Sequence, residues 1–357
     1  MLSLPRALRS IFVLILGAGV LIGADAARTG GTINILETGS SLLYPLFNLW
    51  VPVYTREHPN VRITTQSTGS GTGISQAVEG IAQIGASDAY MSPALLKEHS
   101  DMLNIPLAIS MQMVNYNVPG LNGQHLKLSG PVLAGIYAGK IRNWNDRAIA
   151  ALNPGVSLPG RAIIPVHRTD GSGDTFIFTQ YLSFSTPEWG NSIRYGTTVS
   201  WPPVPGELGA VGNPGMITAT KDNPYSISYI GSSYEDAINK GGLGIAMLQN
   251  RDGQFLLPNA RTADAAAAVM APKTPKDERI SLIFAPGAES YPIVNYEYVI
   301  VNRKQPSAGM AQALRNFFDW AISPTGGSAA HFMNEVHFVA LPPAVARLST
   351  AQIAEIQ

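Results

Sequence analysis

The sequence predicts an α/β fold, with mixed sheets flanked by helices and a ligand cleft between two lobes. Three features carry that expectation: strand and helix patterns alternate along the chain, Gly-rich turns recur between them, and two long apolar runs resemble crossings between lobes. TINILETG is a short β run ending at Gly39, and SLLYPLFNLWVPVYTREHP has a helical pattern. Its Leu42, Leu43, Leu46, Phe47, Trp50, Val51 and Tyr54 recur at three-and-four spacing and paint one apolar face. Ser40 or Ser41 is the natural N-cap, Pro45 suits a first turn, and Pro52 predicts a kink or an early stop. VRITTQST then reads as a strand, GSGTG as a turn, and ISQAVEGIAQ as a helix with Ile74, Ala77, Val78 and Ile81 on its face.

The same order continues. IGASDAYMSP is strand and turn, and LNIPLAISMQMVNYNVPG is a long extended apolar segment. SGPVLAGIYAGKIRNWNDRAIAALNPG holds two short helical patterns, and RAIIPVHRTDGSGDTFIFTQYLSF repeats strand, turn and helix. Residues 200–225 are rich in Pro and Gly and predict an irregular excursion. YSISYIGSSYEDAINKGGLGIAML gives strand then helix, TADAAAAVMA a helix, YPIVNYEYVIV another extended crossing, and MAQALRNFFDWAIS a late amphipathic helix. Extended runs near Met111–Asn115 and Val294–Tyr298 suggest hinge strands, giving a first lobe from 27–113 plus 295–357 and a second from 114–294.

Composition narrows the function. The chain has 357 residues, 24 basic and 24 acidic side chains and a formal net charge of +0, so no sequence-wide field draws it to nucleic acid or an anionic bilayer. The absence of cysteine excludes disulfides, thiolate nucleophiles, Cys-ligated zinc and a lipid-modified cysteine. Arg6 and Arg9, the apolar run Ile11–Gly23 and the small-x-small Ala24-Asp25-Ala26 have the form of a secretory signal over 1–26. Its apolar run falls short of the roughly 20 residues of a bilayer span. The mature chain is therefore expected outside the cytoplasm, periplasmic or otherwise extracytoplasmic, and not as a lipoprotein.

Three turns share one design: TGSSLLYP at 38–45, TGSGTGIS at 68–75 and DGSGDTF at 170–176. Each sets Ser beside Gly where a helix begins. A helix start leaves backbone N–H groups unpaired and carries partial positive charge, so it can seat an oxyanion. Glycine permits close approach and serine adds a rotatable donor. A single such turn is most often only an N-cap; three in one chain point to a shared ligand. GSGTG lacks the Lys-Ser/Thr of a P-loop, the spacing is not that of a dinucleotide fingerprint, and neither Ser70 nor Ser172 lies in G-x-S-x-G. The six histidines form no HExxH, so neither a metal site nor a cofactor is expected. His167, Asp170 and Ser172 match a hydrolytic triad in composition alone.

ETGSSLLYPLFNLW, TGSGTGISQA, IGASDAYMSP, IYAGKIRNWND, HRTDGSGDTFIFTQYLS and VNYEYVIV together resemble the PstS family, the phosphate-specific solute-binding proteins of bacterial ABC importers. The likeness runs from about Ile33 to the C-terminus. It implies a two-lobed, type II periplasmic-binding fold that takes inorganic phosphate and delivers it to a membrane-embedded permease and its ATPase, without catalysis, as a monomer. It also implies that Ser40, Ser41 and the Leu42 backbone, Ser70, Asp88, Arg168, Ser172, Gly173 and Asp174 bind the ion, with Asp170 pairing the guanidinium. Leu43 stands where many members have Thr, so Ser41 is expected to supply that hydroxyl. Asp174 stands where many have Thr, so it is expected to offer its amide and turn its carboxylate away.

Asp88 beside an anion makes sense only if the ligand carries a proton, because an ionised carboxylate accepts hydrogen bonds and cannot donate. Phosphate at neutral pH has that proton and sulfate does not. A receptor for another tetrahedral oxyanion, and a phosphatase or surface adhesion protein on the same scaffold, are the alternative readings.

Overall fold

A computed structural model describes residues 31–357, so the secretory segment expected at 1–26 lies outside the described residues. The strands are β1 (Ile33–Gly39), β2 (Val61–Ser67), β3 (Ile84–Ser87), β4 (Met102–Tyr116), β5 (Lys127–Leu128), β6 (Ile164–Arg168), β7 (Leu208–Ala210), β8 (Ser226–Gly231), β9 (Gly244–Ile245), β10 (Met247–Gln249), β11 (Phe255–Leu256) and β12 (Val294–Asn302). The large sheet runs β2-β1-β3-β12-β4-β8-β6-β7, with β9 also on β4; β11-β10-β5 form a small second sheet. Pairing is parallel for β1 with β2 and β3, and for β6 with β7 and β8. Parallel neighbours need crossovers, and helices Tyr44–Glu57, Ser70–Val78, Gly173–Ser185 and Gly212–Asp222 supply them. This is the mixed α/β architecture that the alternation of patterns predicts.

The long β4 belongs to both halves of the sheet. Its fifteen residues are all buried; Met102–Met111 pair antiparallel with β12, and Gln112–Tyr116 pair antiparallel with β8. The chain re-enters the first half at Val294, opposite Met111. An apolar run buried on both faces is what LNIPLAISMQMVNY encodes, and the polar residues inside it therefore need partners.

Three local expectations are corrected. The Tyr44–Glu57 helix runs through Pro52, because Pro52 and Asn48 face water, where the freed carbonyl is solvated, while Phe47, Trp50 and Tyr54 pin the helix on both sides of it. Trp50 packs edge-on against Phe47 at 5.6 Å and Phe317 at 6.3 Å, and its indole N–H donates to Gly327 O at 2.9 Å. Neither serine is the cap of that helix: Leu43 holds the cap position, and Ser40 Oγ accepts from Leu42 N at 3.1 Å and Leu43 N at 2.9 Å in the turn before it. Residues 200–225 are not wholly irregular either. They contain β7 and the Gly212–Asp222 helix, in whose first turn Pro214 sits, a position that needs no N–H.

The helix at Ser70–Val78 rests directly on the strand ends because Gly73 has no side chain. A methyl there would lie 2.6 Å from Ala86 O and 2.8 Å from Thr38 O.

One buried acid outside the cleft gives a test of stability. Glu278 accepts from Ser349 Oγ at 2.9 Å and Gln352 Nε2 at 2.7 Å, and burial pushes its carboxyl up to about 8 against those two bonds. The folded state thus holds a proton that the unfolded chain releases near 4.5, so this contribution is complete below 4.5 and is lost as pH rises through about 8. Glu278→Gln is expected to flatten the fall of Tm over that window. Superimposable melting profiles for the two proteins would contradict it.

Candidate functional site

The three Gly-Ser turns meet. β1 ends at Gly39 and delivers Ser40 and Ser41; β2 leads into Ser70 at a helix start; β3 leads into Asp88; and β6 ends at Arg168, just before the helix that Ser172 caps. The carboxyl ends of β1, β2 and β3 in one half and of β6 in the other point towards each other across the middle of β4, and the loops converge there. Ser40, Ser41, Leu42, Ser70, Asp88, Arg168, Ser172 and Asp174 are all buried. The two sides touch: Gly71 N donates to Gly171 O at 2.8 Å, and a methyl on Gly173 would lie 2.4 Å from both Asp88 Oδ2 and Ser70 Oγ.

Asp88 is the centre of the arrangement. Its Oδ1 accepts from Ser40 Oγ, its backbone N–H donates to Ser70 Oγ at 3.1 Å, and its carbonyl accepts from Asn295 Nδ2 at 2.7 Å. Oδ2 has no protein partner. Burial pushes this carboxyl above its usual 3.8, against the Ser40 hydrogen bond and the Arg168 charge. Ser40 therefore directs its single proton to Asp88, and its oxygen occupies the Leu42 amide. As it stands, this serine orients the acid.

Arg168 is more fully engaged than its sequence context suggests. Nε donates to Asp170 Oδ1 at 2.7 Å, Nη2 to Asp170 Oδ2, and Nη1 to Asp174 Oδ2 at 2.6 Å. Its side chain is 1% exposed, and although burial disfavours its charge, the two carboxylates outweigh that and hold it protonated. For Asp170, burial likewise works upward, but the guanidinium wins and holds it below 3.8. The Asp170 pairing expected from HRTDGSG is present.

Asp174 differs from expectation. Its carboxylate turns inward: beside Arg168, it accepts from Asn213 Nδ2 at 2.8 Å and Gln112 Nε2 at 3.1 Å. Burial, and then the Asp88 charge, push it above the ordinary carboxylate range. The inward turn follows from burial of the guanidinium, since a buried cation with one carboxylate left at its edge would strand N–H groups away from water.

Asn213 escapes the sequence pattern because the Pro and Gly content of 200–225 predicts an irregular loop. It also donates to Ser41 Oγ at 3.0 Å and accepts from Gly231 N at 3.0 Å, tying the first turn to the opposite half. The signal that could have found it is the N-P-G run, which places Asn at a helix start. Ser41 thus faces this second half, whereas Leu43 is buried in the core.

Donors outnumber acceptors here. Ser41, Ser70 and Ser172 each accept a hydrogen bond and retain a hydroxyl proton, and the amides of Gly173 and Asp174 are first-turn N–H groups without intrahelical acceptors. His167 does not join them. Its ring stacks on Trp201 at 5.1 Å and Nδ1 lies 3.2 Å from Arg168 O, so the composition of a triad is present without its geometry. Among the described residues no cluster of three His, Cys, Asp or Glu side chains is arranged for a metal.

Two α/β halves sharing β4, with loop-borne donors converging between them, define a solute-binding protein of the periplasmic-binding class. Residues 24–325 match the model of the PBP superfamily domain. The chain belongs to that superfamily and, within it, to the PstS family: it is 37% identical to the phosphate-binding protein PstS of Pasteurella multocida over 89% of each chain. It is 33% identical to that of Methanocaldococcus jannaschii over 96% of this chain and 95% of the relative. Solved structures agree on the fold. A phosphate-binding protein from Stenotrophomonas maltophilia gives a TM-score of 0.67 at 17% identity, covering 90% of this chain and 94% of that one. A putative phosphate ABC transporter substrate-binding protein from Clostridium perfringens, solved with bound phosphate, gives 0.61 at 16% identity, covering 87% and 100%.

The contact at Gly173 is testable. Gly173→Ala places a methyl against Asp88 Oδ2 and Ser70 Oγ, so the halves must separate to admit it. Solution scattering should show a larger radius of gyration with unchanged far-UV circular dichroism, and anion binding should be lost. A compact variant that binds like the parent would show that the two sides do not close on each other here.

Proposed function

We propose that this chain is an extracytoplasmic receptor that binds one inorganic phosphate between its halves and delivers it, as a monomer without catalysis, to an ABC permease and its ATPase. The observation that carries the reading is Asp88. A buried carboxylate presents an unpartnered oxygen towards Gly173 and Ser70, among hydroxyl and first-turn amide donors. Donors of this kind suit oxyanion oxygens, and the single acceptor suits a ligand O–H. Ser41, Ser70, Ser172, Gly173 and Asp174 would donate to the ion through hydroxyls and amides. Ser40 would position Asp88, and Arg168 would supply the local positive charge while fixing Asp174 and Asp170.

The proposed lobes are 27–113 with 295–357, and 114–294. Sharing of β4 between the two sheet halves, and re-entry at Val294 opposite Met111, support a hinge near those residues. Among the described residues no helix is long and apolar enough to cross a membrane. Placement outside the cytoplasm rests on the N-terminal segment and on membership of the family.

Site chemistry sets the expected selectivity. Sulfate would bring bare lone pairs against Asp88, a desolvated like-charge contact that costs several kcal/mol. Calorimetric titration of the phosphate-stripped protein should therefore show one-to-one phosphate binding and no sulfate heat. A hydrogen bond to a charged group contributes about 1.5–3 kcal/mol. Asp88→Asn should consequently weaken phosphate roughly 10- to 100-fold while admitting sulfate, because the amide can donate where the carboxylate could only accept. Full phosphate affinity with sulfate still excluded in that variant would remove Asp88 as the reader of the ligand proton, and absence of phosphate binding by the folded parent would remove the receptor reading.

A further inference from the structure

Behind Asp88 stands a second buried acid that the binding scheme does not use. Glu297 lies in β12, where the pairing with β4 slips: Glu297 faces Ala108, but Tyr298 faces Pro106, so β4 carries an extra residue at this point. Such a bulge re-aims side chains. Asn295 and Glu297 share one strand face, and both reach towards Asp88. Glu297 Oε1 accepts from Ser110 Oγ at 2.6 Å, with Asn295 Nδ2 at 3.4 Å, while no donor group of the protein reaches Oε2. Asn295 Nδ2 links the two residues, reaching the Asp88 carbonyl at 2.7 Å and Glu297 Oε1 at 3.4 Å, so the Glu297 carboxyl lies beside Asp88.

Two ionised carboxylates side by side and out of water repel each other, so one of the pair holds a proton. The surroundings decide which. Asp88 receives the Ser40 hydroxyl and lies in the field of Arg168. Glu297 has only the neutral Ser110 of β4 and Asn295 of its own strand besides Asp88. Burial and the Asp88 charge accordingly push Glu297 well above the ordinary range. The other ionised groups near this pair reach it through Asp88: Asp174 from the Gly173–Ser185 helix, and Arg168 of β6 with its partner Asp170.

We propose that Glu297 is a positioning residue of the anion site: it stays protonated and donates to Asp88, so that Asp88 is held ionised as the acceptor for the ligand's own O–H. The proposal rests on the phosphate reading for its ligand, but the location of the proton does not. When pH rises far enough to remove that proton, two carboxylates face each other beside the anion and binding weakens.

The test uses the parent chain, Glu297→Gln and Glu297→Ala. The glutamine amide can still donate to Asp88 but cannot ionise, so Glu297→Gln should bind phosphate within about threefold of the parent at pH 7. It should also lack the part of the parent's alkaline loss of affinity that comes from this carboxyl. Glu297→Ala, confirmed folded by circular dichroism, should bind at least about tenfold more weakly. Superimposable alkaline profiles for parent and Glu297→Gln, or equal losses in both variants at pH 7, would overturn the proposal. An infrared difference spectrum, parent minus Glu297→Gln without ligand at neutral pH, gives an answer that does not depend on phosphate. A protonated-carboxyl C=O stretch in the parent supports the assignment. A carboxylate signal alone overturns it, even if phosphate binds, whereas the protonated signal in a parent that binds no phosphate would instead count against the receptor reading.

Discussion

A buried carboxylate turned towards a cluster of hydrogen-bond donors is the interaction on which the rest of this structure depends. Asp88 sits beyond the end of β3, out of water, with the Ser40 hydroxyl on one oxygen and nothing from the protein on the other. Removing an ionised acid from water is expensive unless partners replace the lost solvation. The elements that surround it supply partners of different kinds: a hydroxyl from the first turn, helix-start amides from the third, a cation already paired with two other acids, and a second carboxyl from behind. A protonated oxyanion completes that set, since it accepts from the donors and gives its own hydrogen to the acid.

The same constraint explains the local charge. Among the described residues Arg168 is the one cation beside Asp88, Asp170, Asp174 and Glu297, so four ionised acids would leave a strongly negative pocket. Burial favours the protonated form of Asp174 and Glu297, whereas Asp170, hydrogen-bonded to the guanidinium, stays ionised, and at Asp88 the Ser40 hydroxyl and the Arg168 charge work against burial. An anion receptor can carry several carboxyls when some of them hold protons. β4 provides the frame, because Ser110 and Gln112 on that strand touch Glu297 and Asp174.

Much of this is legible in the amino-acid sequence. Periodicity located the principal strands and helices, since an apolar stripe with period 3.6 and a buried strand each leave a clear pattern. The Gly-Ser turns pointed to the residues that converge, because helix starts use few residue types. What escaped was set by long-range contact. Asn213 lay in a stretch whose Pro and Gly content suggested loop, although Pro214 occupies a first helical turn. Ser110, Gln112, Asn295 and Glu297 were hidden inside apolar runs, yet polar residues in strands expected to be buried on both faces needed partners, and that was the usable signal. The inward turn of Asp174 could not be read locally, for it depends on Arg168, Gln112 and Asn213 arriving from three other elements.

The most direct test of Asp88 as the hub is a crystal structure of the chain grown with phosphate. The account requires a phosphate oxygen within hydrogen-bonding distance of the Asp88 carboxylate, the remaining oxygens on hydroxyls and amides of Ser41, Ser70, Ser172, Gly173 and Asp174, and the Arg168–Asp170 pair intact. A phosphate bound elsewhere, or bound between the halves with Asp88 rotated away from it, would contradict the account.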